Sequence, residues 1–69
     1  MKTLDVVALI NAIPEKHLDR GYVGTIVEPL AADMFEVEFS DLDGNVFATC
    51  AIPENKLMVL HHYPEAVAA

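Results

Sequence analysis

Positive charge is scarce in this chain. Its 69 residues include only four lysines and arginines, and none of them lies between Gly21 and Asn55. A protein that grips nucleic acid must neutralise phosphates with Lys and Arg, and an anionic membrane surface makes the same demand. Neither nucleic acid nor membrane is therefore an expected partner. Cysteine is scarcer still. Cys50 stands alone, so no disulfide can form within the chain, and no Cys/His spacing resembles a structural zinc site. Glycine is limited to three residues, and Gly21 and Gly24 do not make a phosphate-binding loop, because no third glycine and no Lys-Ser/Thr accompanies them. No apolar run approaches the roughly 20 residues that span a bilayer. Lys2 is followed by Asp5 rather than by an apolar run ending in a cleavage site, so no signal peptide is read. With one free thiol, the expected compartment is a reducing cytoplasm.

What the chain does have is acid, and it is localised. Three basic residues balance three acids in residues 1–20, and Lys56 balances Glu65 in residues 56–69. The seven acids Glu28, Asp33, Glu36, Glu38, Asp41, Asp43 and Glu54 carry the whole net charge of −7. Such a segment suits solubility or docking onto a basic protein. Apolar residues make up 54% of the chain. A domain of about 60 residues buries only roughly 60% of its unfolded surface. High apolar content without a disulfide or metal staple predicts self-association, with edge-strand pairing as one route.

Period-2 alternation dominates the pattern. Leu4–Ile10 reads as a first strand, too short and too close to Pro14 for a stable helix. Val7 and Leu9 share one face, against Val6, Ala8 and Ile10. Asn11–Arg20 reads as a polar connection pinned by Ile13 and Leu18. Gly21–Leu30 is a second strand, with Val23, Thr25 and Val27 opposed to Tyr22, Gly24 and Ile26. Gly24 marks a bulge, a corner or a close backbone approach. Pro29 ends the strand or lies at an edge, and residues 30–34 form a loop. Phe35, Val37 and Phe39 then point inward, with Glu36, Glu38 and Ser40 outward, the clearest alternation in the chain. Asp41-Leu42-Asp43-Gly44 reads as a bulged hairpin turn. Asn45–Ile52 is a fourth strand, with Val46, Ala48, Cys50 and Ile52 alternating against Phe47, Thr49 and Ala51. Pro53–Lys56 has the length of one 3-10 turn, and Leu57–Leu60 is a fifth strand. The expected architecture is all-β: a small five-stranded SH3-like, KOW-like barrel over residues 1–60, with a 3-10 turn before the last strand and a tail over 61–69.

Chemistry is hard to assemble from these residues. His61 and His62 are neighbours on a strand end and point to opposite faces, and His17 is far away in the first loop, so no metal site is expected. A cysteine nucleophile needs a base within hydrogen-bond reach. Nothing places a histidine beside Cys50, which shares its face with core residues. Glu36 and Glu38, with Asp41 and Asp43 just beyond, have no calcium-loop spacing. They read either as a solvated strand face that blunts an edge or as a docking face. Tyr22, Phe47 and Tyr63 are the aromatics left over for a small docking patch.

The run Leu4-Asp5-Val6-Val7-Ala8-Leu9, Pro14-Glu15, Leu18, Arg20-Gly21, Val23-Gly24-Thr25-Ile26-Val27-Glu28, then Phe35-Glu36-Val37-Glu38-Phe39, Asp43-Gly44 and Leu57-Met58-Val59-Leu60 resembles a family of short bacterial proteins catalogued as a domain of unknown function. The resemblance spans residues 4–60. It implies an SH3-like barrel similar in build to KOW-type modules and to the small barrel of nitrile hydratase β-chains. It brings no catalytic residues, and it implies a protein partner, of which an antitoxin or immunity role is a special case. Asn11-Ala12 and the tail from His61 depart from the pattern. The expected function is a non-enzymatic interaction module without cofactors, whose partner-binding residues are Glu28, Glu36, Glu38, Asp41 and Asp43. A KOW-like nucleic-acid module and a small-molecule or metal-binding regulator are the alternatives.

Overall fold

Five antiparallel strands follow one another in a computed structural model that describes residues 1–61: β1 (Val6–Leu9), β2 (Val23–Ala31), β3 (Met34–Ser40), β4 (Val46–Pro53) and β5 (Leu57–Val59). Two 3-10 turns interrupt them, at Pro14–Lys16 and at Glu54–Lys56. The second turn and all five expected strands are present. The sheet order is β4-β3-β2-β1-β5. It is a single open sheet, so the expected closure into a barrel is not made. Among the described residues, β5 has three residues and pairs with β1 alone, and its other edge does not meet β4. The expected tail, with His62 and Tyr63, falls outside the described residues apart from His61. Among the described residues no helix is long and apolar enough to cross a membrane.

The core follows the alternation. Val7, Leu9, Ile26, Phe35, Val37, Phe39, Ile52 and Leu57 are buried on the inner side of the sheet, and Ile13 and Leu18 pack over them from the first loop. Burying each such side chain is worth about 1.5–3 kcal/mol. Ile13 and Leu18 also exchange both backbone hydrogen bonds, at 2.8 and 3.2 Å, which clamps the loop onto the core. The 3-10 turn between them begins at Pro14, whose fixed φ and missing N–H suit that position.

Three departures from simple alternation have local causes. Leu4 is not in the first strand. It sits at φ 75° in a turn where the Asp5 N–H donates to the Lys2 carbonyl at 3.1 Å and the Asp5 carboxylate accepts from the Lys2 N–H at 3.0 Å. Pro29 does not end β2, which runs on to Ala31. β1 pairs with β2 only at residues 23–25, so at Pro29 the strand is flanked by β3 alone and needs no second donor. Finally, β3 and β4 slip by one residue, because Phe39 pairs with Ala48 but Ser40 pairs with Val46. Phe47 is the extra residue of this bulge. The bulge turns its ring toward the inner side, 6.5 Å from Phe39 and 5.7 Å edge-on from Tyr22, and leaves Val46 exposed. Val46 is thus removed from the inward set, and Phe47 joins it.

Gly24 resolves to close approach. It sits between Val7 on β1 and Phe39 on β3. A Cβ there would lie 2.7 Å from Val37 Cγ1, 2.8 Å from the Glu38 carbonyl oxygen and 2.9 Å from Phe39 Cδ1. All three neighbours are packed or backbone atoms, so none can move cheaply. Gly24→Ala is expected to destabilise the domain by about 2–3 kcal/mol through overpacking, measured by denaturant unfolding. Gly24→Ala in a Val37→Ala background should lose less than the sum of the two single changes, because the two sites share the same space.

Candidate functional site: an acidic sheet face

The outer face of the sheet is where the charge collects. Glu36 and Glu38 alternate with the core residues of β3 and so project from the opposite side. Glu28 joins them through a second bulge. Strict alternation along β2 would place it with Gly24 and Ile26. The register shifts between Ile26 and Glu28, and Val27 is left over, so Glu28 comes directly opposite Glu36. Glu38 lies opposite Thr25 on one side and Thr49 on the other. Glu28, Glu36 and Glu38 therefore share one face.

Among the described residues no salt bridge reaches them; the salt bridge there joins Lys2 to Asp5 at 3.8 Å. Like charges directly opposite each other on paired strands destabilise the pairing, so the Glu28–Glu36 pair works against the fold that displays it. Further along the same outer face, Ala8 pairs with both Val23 and Met58, and Val6 pairs with Thr25. Val6, Val23 and Met58 are each about half exposed. The acidic row thus runs into an apolar strip on β1, β2 and β5.

Asp41 and Asp43 stand apart, in the hairpin at the end of β3. Asp41 is occupied by the turn. Its Oδ1 accepts from the Asp43 N–H and from the Asn45 N–H, both at 2.9 Å. Its own N–H donates to the Asn45 carbonyl at 2.9 Å, and its carbonyl accepts from the Gly44 N–H at 3.0 Å. Gly44 takes φ 84°, the left-handed conformation expected of it. The Asn45 N–H is the main cause holding the Asp41 carboxyl below its ordinary range, against a smaller opposing effect of burial and with further help from the Asp43 N–H.

The remaining candidates stay scattered. Cys50 is half-buried against the core, and burial pushes its thiol up, opposed in part by the charge of Lys16. That makes it a weaker nucleophile at neutral pH. Among the described residues no group of three His, Cys, Asp or Glu side chains could hold a metal ion. Tyr22 and Phe47 do come together, in a cleft of about 390 Å³ beside Val23 and the fully exposed Leu42. The nearby Asp19 raises the Tyr22 pKa by its charge, and then by a hydrogen bond. The sequence grouped Tyr22 and Phe47 with Tyr63 as a small docking patch; the first two do meet, through a bulge that no residue pattern announces, and Tyr63 lies outside the described residues.

The architecture and its displayed face define an all-β domain built on one antiparallel sheet, with an acidic face that no salt bridge neutralises among the described residues. Residues 3–59 match the family model described as a domain of unknown function (DUF4926), and the chain belongs to that family. No curated protein and no solved structure matches it.

The geometry of Asp41 fixes a sign. Its pKa is lowered in the folded state, so the stability it supplies is present above the ordinary carboxylate pKa and is lost as pH falls through the lowered value. Asp41→Ala is expected to lower the melting temperature at neutral pH, with the difference from the parent shrinking in acid. Asp41→Asn should retain most of the turn, because the amide oxygen accepts the same two hydrogen bonds.

Proposed function

We propose that this domain is a non-enzymatic protein-interaction module whose acidic outer face docks a basic segment of a protein partner. The observation that carries the proposal is the alignment of Glu28, Glu36 and Glu38 on one face with no salt bridge reaching them among the described residues. A bulge is needed to bring Glu28 there, and the resulting like-charge pair costs stability. Solubility alone would be served by acids spread over the surface. The adjoining Val6, Val23 and Met58 favour a partner segment that combines Lys or Arg with apolar side chains. Asp43, exposed at the hairpin tip, extends the negative field, whereas Asp41 serves mainly to hold the turn. An antitoxin or immunity protein is a special case of this role, and a cytoplasmic setting fits it.

The strand order, with β5 beside β1 and a 3-10 turn just before it, supports reading the sheet as an opened SH3-like or KOW-like arrangement. Fold kinship of that kind extends to nucleic-acid modules, but it is a weak warrant for function, and the lack of basic residues from 21 to 55 weighs against it.

Co-purification from low salt should recover a basic protein that is released at high salt. Glu36→Gln with Glu38→Gln should slow its association by about tenfold, as expected when a steering field is removed, with the melting temperature kept or raised. A partner set indifferent to salt and to these substitutions, or no partner at all, would overturn the proposal. Retardation of RNA or DNA in a low-salt gel shift would favour the nucleic-acid alternative.

A further inference from the structure

The sheet has two edges, and they are unlike. β5 is three residues long, while β4 has eight residues and, among the described residues, hydrogen-bonds as a strand only to β3. Edge strands are usually blunted by charge, by proline, by brevity or by a bulge. β4 has neither charge nor proline along Val46–Ile52, its bulge lies near its start at Phe47, and Pro53 comes only at its end, so Ala48–Ile52 is left regular. In a chain of net charge −7, this strand carries no charged residue. The core also opens at β4. Ile52 is fully buried, but Ala48 and Cys50 are only partly covered, and Phe47 remains 50% exposed.

We propose that β4 is a homodimerisation edge, through which two copies pair antiparallel along Val46–Pro53 into one continuous ten-stranded sheet. A strand that pairs antiparallel with its own copy does so about a two-fold axis, so the interface closes on itself and needs no second surface. The chain's charge favours this route over stacking of outer faces, which would press Glu28, Glu36 and Glu38 of each copy together. In edge pairing β3 and its counterpart stand three strand spacings apart, about 14 Å. That exceeds the Debye length of about 8 Å at physiological ionic strength, so the two acidic rows scarcely repel. The two-fold axis runs perpendicular to the sheet, and both rows therefore appear on the same side. A partner with two basic segments would meet them together.

Antiparallel pairing also sets the Asp43 end of one β4 beside the Glu54 end of the other. Acid lies near acid at both ends of the interface, so added salt strengthens the dimer while it weakens docking of a basic partner. The two proposals are thus separable: failure of either leaves the other standing.

Sedimentation equilibrium of the full chain should give twice the chain mass, with association tightening from low to moderate salt. Hydrogen exchange read by mass spectrometry should show amides of residues 46–52 becoming more protected as protein concentration rises, with β5 unchanged. Thr49→Lys should weaken association by at least about tenfold, since it places two like charges near the axis. Glu38 lies opposite Thr49 and supports the folded monomer of this variant through an opposite-charge pair, which circular dichroism would check. A monomer at the highest attainable concentration would overturn the proposal. So would a dimer whose β4 amides exchange at a concentration-independent rate, or one that Thr49→Lys leaves intact.

Discussion

The β2–β3 ladder is the element on which the rest is built, and Gly24 sets how closely its two strands pack. Here β2 crosses the inner face with no side chain, and Val37 and Phe39 occupy the space a Cβ would need. Phe39 is then fully buried, and it supports Phe47 across the β4 bulge, which in turn meets Tyr22. β1 lies on the other side of the same glycine, through the Val7–Gly24 pair. A single missing methyl group thus fixes the distance between the two halves of the sheet. With ten buried apolar residues among those described, there is little other packing to absorb an error at that point.

The same ladder displays the charge. A bulge within it brings Glu28 opposite Glu36, so scaffold and surface cannot be varied independently. Relaxing the bulge would shift Glu28 by one register position and flip it toward the core face. The acidic row is therefore maintained by backbone geometry as well as by residue choice. This distinguishes it from the hairpin acids, where Asp41 is engaged by backbone donors of the turn.

Strand existence and the main core were legible wherever one face is buried and the other is wet. Phe35, Val37 and Phe39 could be assigned inward from their Glu and Ser neighbours alone, and Ile13 and Leu18 stood out as apolar anchors in a polar loop. Legibility failed where the backbone departs from period 2. The bulges at Val27 and Phe47 each insert one residue and invert the faces beyond it, and neither residue is a glycine that would have flagged the irregularity. Pro29 was legible as a strand end or an edge position, and the second holds: β1 is too short to reach it, so β2 runs past it with β3 alone beside it. Closure was expected from the glycine-marked strand and its alternating partner, the 3-10 turn before the last strand and the family resemblance, none of which fixes whether β5 meets β4. Of the acidic candidates, the alignment of Glu36 with Glu38 followed from alternation, whereas the isolation of Asp41 depended on hydrogen bonds that composition does not reveal.

The pairing of β1 with β5 carries a kinetic consequence. β2, β3 and β4 form a meander whose turns are short, so each contact closes a small loop. β1 and β5 are joined only across the whole meander, since Val7 meets Val59. Closing a loop of that length costs more chain entropy and returns few contacts until the meander exists to receive β1. Loop-closure entropy therefore favours assembly of the β2–β4 meander, with its acidic strands, ahead of the pairing of β1 with β5.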